Sequence, residues 1–338
     1  MNINDVIKMP EYRFIHEDEH LKDKIMFLTF GGSYSYGTNV ETSDIDIRGV
    51  CLNSPSELIG IREYEQYTDE NTDTTIYTFN KLAKLLMSCN PNTIEMLGCR
   101  PEHYTMVSPA GEMLLKSSDI FLSKRAFYSF SGYANSQLRR LQNAVARDRV
   151  SQAMKEEHIK NSILVAMNSF KDKYTNFDKN SIVLSIEDSL NLDLDKEIMV
   201  NIDLRKYPLR ELNGILAEMT NIVKDYDKLN HRNNKKDELH LNKHAMHLVR
   251  LYIMCLDILN NHQIVTYREK DHDLLMAIRN GYFMNPDGTF KKEFFDIVDD
   301  YEKKIERACL FSTLPETPDY EEVNKLVMKI NRYALEVS

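Results

Sequence analysis

The residues best suited to chemistry lie in Phe30-Gly-Gly-Ser-Tyr-Ser-Tyr-Gly-Thr38 and in Ser43-Asp-Ile-Asp-Ile47, a short distance downstream. Glycine has no Cβ, so Gly31 and Gly32 let backbone N–H groups come close to a phosphate, and Ser33 adds a hydroxyl where a strand reads into a helix N-terminus. Asp44 and Asp46 stand at i and i+2. On a strand they project from one face and can share hard divalent cations such as Mg2+. Carboxylates beside phosphate oxygens describe metal-assisted phosphoryl or nucleotidyl transfer, one ion activating the attacking oxygen and a second steadying the departing pyrophosphate. Arg48 continues the alternation on the same face, where it either holds a triphosphate or neutralises the carboxylates. Ser43 is read with Gly32, Ser33 and Arg48 as nucleotide-binding. Its competing role is a turn or helix cap, which Ile45, Ile47 and Val50 oppose by favouring a strand. Tyr34 and Tyr36 are placed to stack on a base, although packing is the commoner role of aromatic residues beside a glycine turn.

These residues need a scaffold of strands and helices. The continuous apolar run 25–30 ends in two glycines and predicts a buried strand, and 44–50 alternates polar and apolar residues as a strand with one wet face does. A third strand is expected at 74–78, followed by an amphipathic helix over 77–87 and another begun by Pro91 over 92–97. From about residue 118 the pattern turns helical, with candidates at 121–141, 161–174, 209–229, 241–259, 294–310 and 320–335. The interval 176–203 gives no assignable pattern. The patterns suggest a domain of strands and helices followed by a helical one, an α+β chain with a boundary at 117/118: a catalytic domain over 1–117 and a mainly α-helical substrate domain over 118–338.

Gly32-Ser33, a gap of about ten residues and then Asp-Ile-Asp resembles the DNA polymerase beta-like nucleotidyltransferase superfamily. The wider wording, FGGSYSYGTNVETSDIDIRGV with NPNTIEML, FSGYANSQLRRL and KHAMHLVRL downstream, resembles its RNA-repair-associated, RlaP-type branch. The resemblance runs from about residue 27 to 282. It implies a short mixed sheet flanked by helices and transfer of a nucleoside monophosphate from an NTP, ATP favoured, to an acceptor hydroxyl. It implies two Mg2+ ions, with Mn2+ as substitute, held by Asp44, Asp46 and a third carboxylate that helps activate the acceptor. Asp73 is the best match for that third ligand, with Asp69 and Glu70 as competitors. The acceptor implied is an RNA 3′ end, tRNA included. The alternatives are transfer of AMP to a protein side chain, as in antitoxin-like relatives, and an inactive nucleotide- or RNA-binding regulator.

Composition bounds these readings. Lys+Arg 43 against Asp+Glu 52 leaves a net charge of −9, which disfavours non-specific coating of a polyanion and leaves room for a local basic groove. Lys124, Arg125, Arg139, Arg140, Arg147 and Arg149, with Tyr128 and Tyr133 among them, are candidates for such a groove or for a solvated helix face. Phe127, Phe130, Tyr133 and Leu138 are roughly helix-spaced and read as core, while Gly132 permits close packing or a break. Lys243, His247 and Arg250 recur at i, i+4 and i+7 and share a helix face, either gripping NTP phosphates or the acceptor, or forming an interface stripe paired with acids. Scattered Cys51, Cys89, Cys99, Cys255 and Cys309 make no zinc motif and read as reduced thiols of a cytoplasmic protein. No apolar run is long enough to predict a membrane span or a signal core.

Overall fold

A computed structural model describes residues 2–148, 182–188, 196–203, 212–214, 216–217, 220 and 238–337. Its centre is a mixed five-stranded sheet in the order β3-β4-β2-β1-β5, with β1 Ile25–Phe30, β2 Ile47–Cys51, β3 Gln66–Asp69, β4 Thr74–Thr78 and β5 Tyr104–Thr105. The β2–β4 pair is parallel, and the β1–β2, β1–β5 and β3–β4 pairs are antiparallel. Every residue of β1 is buried, as its unbroken apolar run requires of a strand covered on both faces. Ile3, Val6, Tyr12, Ile15 and Leu21 of the N-terminal segment join Leu28, Phe30, Ile47 and Ile76 in one apolar cluster. Helices α2 Phe79–Met87 and α4 Pro109–Lys116 pack on the sheet, α2 burying Phe79, Leu82, Ala83 and Leu86. The backbone of α4 approaches so closely that a Cβ on Gly111 would lie 2.2 Å from the Met26 carbonyl oxygen.

Around this core run α1 Gly32–Tyr36, α3 Pro91–Ile94, α5 Arg125–Asp148, α6 Glu238–Asn261, α7 His272–Arg279, α8 Lys292–Phe311 and α9 Tyr320–Val337. The α+β class is borne out. The expected boundary at 117/118 does not coincide with the compact units, which comprise residues 1–139 with 238–338, and residues 140–237. The physical reason is that late segments complete the early core. Arg250 pairs with Glu95, the Thr266 N–H donates to the Gly98 carbonyl, and the Arg268 N–H donates to the Tyr36 carbonyl at 2.9 Å. In the second unit, β6 Ile182–Asp188 and β7 Lys196–Ile202 form an antiparallel pair from Ile182↔Ile202 to Asp188↔Lys196. This hairpin occupies the interval that the sequence left unassigned. The helix expected over 161–174 lies outside the described residues, as does most of that over 209–229, although 212–214, 216–217 and 220 are helical.

Among the described residues no helix is long and apolar enough to cross a membrane. The cysteines are free, and Cys51, Cys89 and Cys255 are buried. In α5, Ala126, Phe130, Ala134 and Leu141 are buried, whereas Tyr133 lies toward solvent and accepts a hydrogen bond from Asn90. A Cβ on Gly132 would meet nothing within 4 Å, so close packing does not explain that glycine.

Candidate active site

The sheet register brings the acidic residues together. Antiparallel pairing of Phe30 with Ile47 continues one step further, where the Gly31 N–H donates to the Asp46 carbonyl at 2.8 Å. On its other side β2 pairs in parallel with β4, Ile47 opposite Thr74, so the residues just before them, Asp46 and Asp73, are neighbours. Asp44 and Asp46 therefore lie in the lead-in to β2 and not on a strand beginning at residue 44, because the regular ladder starts only at Ile47. Asp73 closes the β3–β4 hairpin with φ +43°, a left-handed conformation that Asp tolerates better than most residues.

Asp46 and Asp73 share a hydrogen bond. Burial first, and then that bond to Asp73, pushes the Asp46 carboxyl up to about 7. The bond from Asp46 holds Asp73 below the usual carboxylate range, with Arg48 reinforcing the shift. Arg48 Nη2 lies 3.2 Å from Asp73 Oδ1 and 3.7 Å from Asp46 Oδ1, while its Nη1 donates to the carbonyls of Asp73 and Ile47. Of the two roles open to Arg48, the geometry supports neutralising the carboxylates. Asp69 instead accepts hydrogen bonds from the N–H and hydroxyl of Thr72, which fixes the turn that presents Asp73. Asp44 is exposed, two residues before Asp46. It lines an open cleft of about 560 Å3 together with Glu11, Tyr12, Glu70 and Asp73.

Opposite the carboxylates stands the glycine turn. Gly32 has φ +52°, and a Cβ there would fall 1.7 Å from Asp46 Oδ2. The backbone thus passes against the carboxylate at a place that admits no side chain. Ser33 is buried in the first turn of α1, which ends in a left-handed Gly37, where a Cβ would strike the Tyr267 ring.

Hard oxygen donors held side by side suit a small divalent cation, and here the donor chemistry fits one. Among the described residues no three His, Cys, Asp or Glu side chains are gathered into a ready-made cage. The Asp46–Asp73 pair is assembled, and Asp44 stands apart from it.

Lys243 acts electrostatically on both Asp46 and Asp73, so the start of α6 faces the carboxylates. Arg250, on the same stripe, does not. Its guanidinium is buried, pairs with Glu95 Oε2 at 3.0 Å and stacks 3.6 Å above the Tyr36 ring, so its expected role in binding nucleotide is corrected to an internal one. The stripe sinks from solvent into the core, and His247 meets the edge of Tyr36 on the way. Tyr36 donates its hydroxyl to Glu95 Oε1 at 2.8 Å and has no free face for a base, while Tyr34 packs on Phe30. Ser43 accepts hydrogen bonds from the Val40 N–H and from Arg279 Nη2 at 2.8 and 3.1 Å, a loop-fixing use of its hydroxyl. Glu95 and Arg279 escaped the sequence reading. A lone Glu between Ile94 and Met96 and a lone Arg at a helix end carry no pattern. In the basic series Lys124 pairs with Glu316 and Arg125 donates to the Met87 carbonyl. The side chains of Arg139, Arg140 and Arg147, and the whole of Arg149, lie outside the described residues.

With this geometry in place, comparison with known families gives a match for the N-terminal part. Residues 7–163 match RlaP, the RNA repair pathway DNA polymerase beta family. In this segment the chain is similar to the polymerase beta-like, RlaP type. The RlaP match spans under half of the chain and includes Gly32, Ser33, Asp44, Asp46, Arg48 and Asp73, whereas Lys243, Arg250 and Arg279 lie beyond it. No curated protein and no solved structure matches the chain.

Proposed function

We propose that the protein is a Mg2+-dependent nucleotidyltransferase that moves a nucleoside monophosphate from an NTP, ATP by preference, to the hydroxyl of an RNA 3′ end. The observation that carries this reading is the adjacency of Asp46 and Asp73 against a Gly32 turn with no room for a side chain. RNA as acceptor is supported by the RlaP match, and a net charge of −9 limits the grip on it to a local surface. Asp46 and Asp73 would hold the metal, joined by Asp44 from the mouth of the cleft. When bound, that cation supplies Lewis-acid stabilisation of the transferring phosphoryl group and a more acidic attacking hydroxyl.

The chain's own residues do the rest. Gly32 and Ser33 offer a backbone N–H and a hydroxyl to the β and γ phosphates, and Lys243 adds positive charge from α6. Arg48 fixes the orientation of both carboxylates through its fork of donors. Asp73 takes the proton of the acceptor hydroxyl as that oxygen bonds to the α phosphorus. The bond between the α phosphorus and its bridging oxygen breaks, and the electron pair leaves with pyrophosphate.

The test is to incubate purified protein with Mg2+, total RNA and each α-labelled NTP in turn. Label in RNA from the wild-type protein, absent with Asp46→Asn, is the expected result. Label in a protein band instead, no transfer at all, or undiminished transfer by the variant overturns the reading.

A further inference from the structure

Charged groups removed from water need a countercharge, and the sheltered arginines among the described residues show the rule and one departure from it. Arg48 meets Asp46 and Asp73, Arg100 meets Glu269, Arg250 meets Glu95, and Arg268 meets Asp257 and Asp271. Arg279, in the last turn of α7, has no carboxylate among the described residues. Its Nη2 donates to the neutral Ser43 hydroxyl, and its Nη1 is shut away from solvent with no partner. Burial pulls its pKa down, the mark of a cation that has lost water and gained no anion.

The place of Arg279 says what is missing. Ser43 immediately precedes Asp44, so the guanidinium sits at the loop that delivers the acidic residues. The charges of Arg279 and Lys243 both act on His247, and Lys243 also acts on Asp46 and Asp73. Lys243 thus reaches the carboxylates and His247, and Arg279 reaches His247 and the loop just before Asp44. Asp46 and Asp73 are already held by Arg48, and Asp44, next to Ser43, makes no ion pair with Arg279 among the described residues, so the anion that would complete Arg279 is sought outside the chain. A planar guanidinium fork fits the oxygens of phosphate, and a single hydrogen bond to a neutral hydroxyl is readily exchanged for one to an anion.

We propose that Arg279 is an anion-binding residue of this site and receives a phosphate group of a bound ligand. The inference rests on the nucleotidyltransferase reading for the identity of that ligand, and two sources share the chemistry: the triphosphate tail of an NTP and a backbone phosphate of a nucleic-acid acceptor.

Calorimetric titration of the full chain with inorganic tripolyphosphate, ATP and a 5′-phosphorylated oligoribonucleotide separates them. Arg279→Gln is expected to weaken binding at least tenfold. Loss for tripolyphosphate and ATP assigns the nucleotide tail, and loss for the oligonucleotide alone assigns the acceptor. Unchanged affinity for all three in Arg279→Gln overturns the inference and leaves the proposed function standing. Failure of the wild-type protein to bind any of them overturns both. Arg279→Lys keeps the charge and loses the fork, so about a threefold weakening at an unchanged melting temperature is expected. Full wild-type affinity for all three ligands in that folded variant also overturns the inference.

Discussion

Two arginine–carboxylate clusters lie close together in this protein and do opposite things with the same groups. In the inner one, Glu95 meets Arg250, Tyr36 donates to the same carboxylate, and the Thr266 hydroxyl donates to the Glu95 carbonyl. Charges there are matched one to one and sealed from water. In the outer one, Arg48 faces both Asp46 and Asp73, with exposed Asp44 close by in sequence, so negative charge is in surplus. The lesson is that balance marks structure and imbalance marks a site. A sealed, neutral cluster fixes α1 against α6, whereas an open cluster that is short of positive charge is finished by a ligand.

The comparison can be broken most forcefully from the inner side. Arg250→Ala leaves Glu95 buried without its partner and is expected to cost about 3–5 kcal/mol of stability, read from urea unfolding. Replacing both partners by apolar residues of similar volume, as in Glu95→Leu with Arg250→Met, should recover much of that loss. If the single variant loses under 1 kcal/mol, the inner cluster is not the brace described.

Asp46→Asn tests the outer cluster. Label transfer is expected to fall more than about 100-fold, as when a metal site is disturbed, while stability stays level or rises because a like-charge pair has been relieved. An unfolded Asp46→Asn would mean that the outer cluster is structural after all.

Gly32→Ala attacks the close approach between the turn and Asp46. A left-handed residue with a Cβ costs about 1–3 kcal/mol, and the clash with Asp46 Oδ2 displaces the carboxylate. Both the unfolding free energy and transfer should fall. A smaller effect is expected in pH. A carboxyl raised in the folded state contributes stability that is fully present below its unfolded value and is lost as pH rises through its folded value. For Asp46 that window runs from about 4 to about 7. The metal-free protein should therefore lose stability across that range, the lowered Asp73 acting only below about 4, and Asp46→Asn should flatten the profile. A profile identical in wild type and variant would remove the shared proton from the comparison.

Much of the frame is legible in the amino-acid sequence because one physical signal dominates each element. The apolar run of β1 and the Thr74–Thr78 strand are found with their observed limits, and α6, α8 and α9 lie within a few residues of the periodic stretches. Strands β3 and β5 were missed. Gln66-Tyr-Thr-Asp69 is polar and half exposed, and β5 has two residues, so neither shows an apolar pattern. The carboxylates were legible by spacing, but their setting was not, since β2 begins only where β1 offers a partner. Arg250 shows the same limit from the other side. Helical spacing tells which residues share a face and not what lies opposite, and Glu95 is 155 positions away in the chain. The boundary at 117/118 marks a change of composition, whereas the compact units divide at 139/140 and 237/238.

The clasp formed by residues 264–268 has a consequence in time. Gly98 lies so close to Ile264, Gly37 to Tyr267, and Tyr36 to the Arg268 N–H that α1 has its final support only when that late segment arrives. At ~5–20 residues per second of synthesis, the interval between making Tyr36 and making Arg268 is on the order of ten seconds or more. During that interval the acidic loop and the glycine turn are already outside the ribosome without their brace. A nascent chain therefore carries the residues of the site before it carries the site, and the switch from one to the other is set by translation itself.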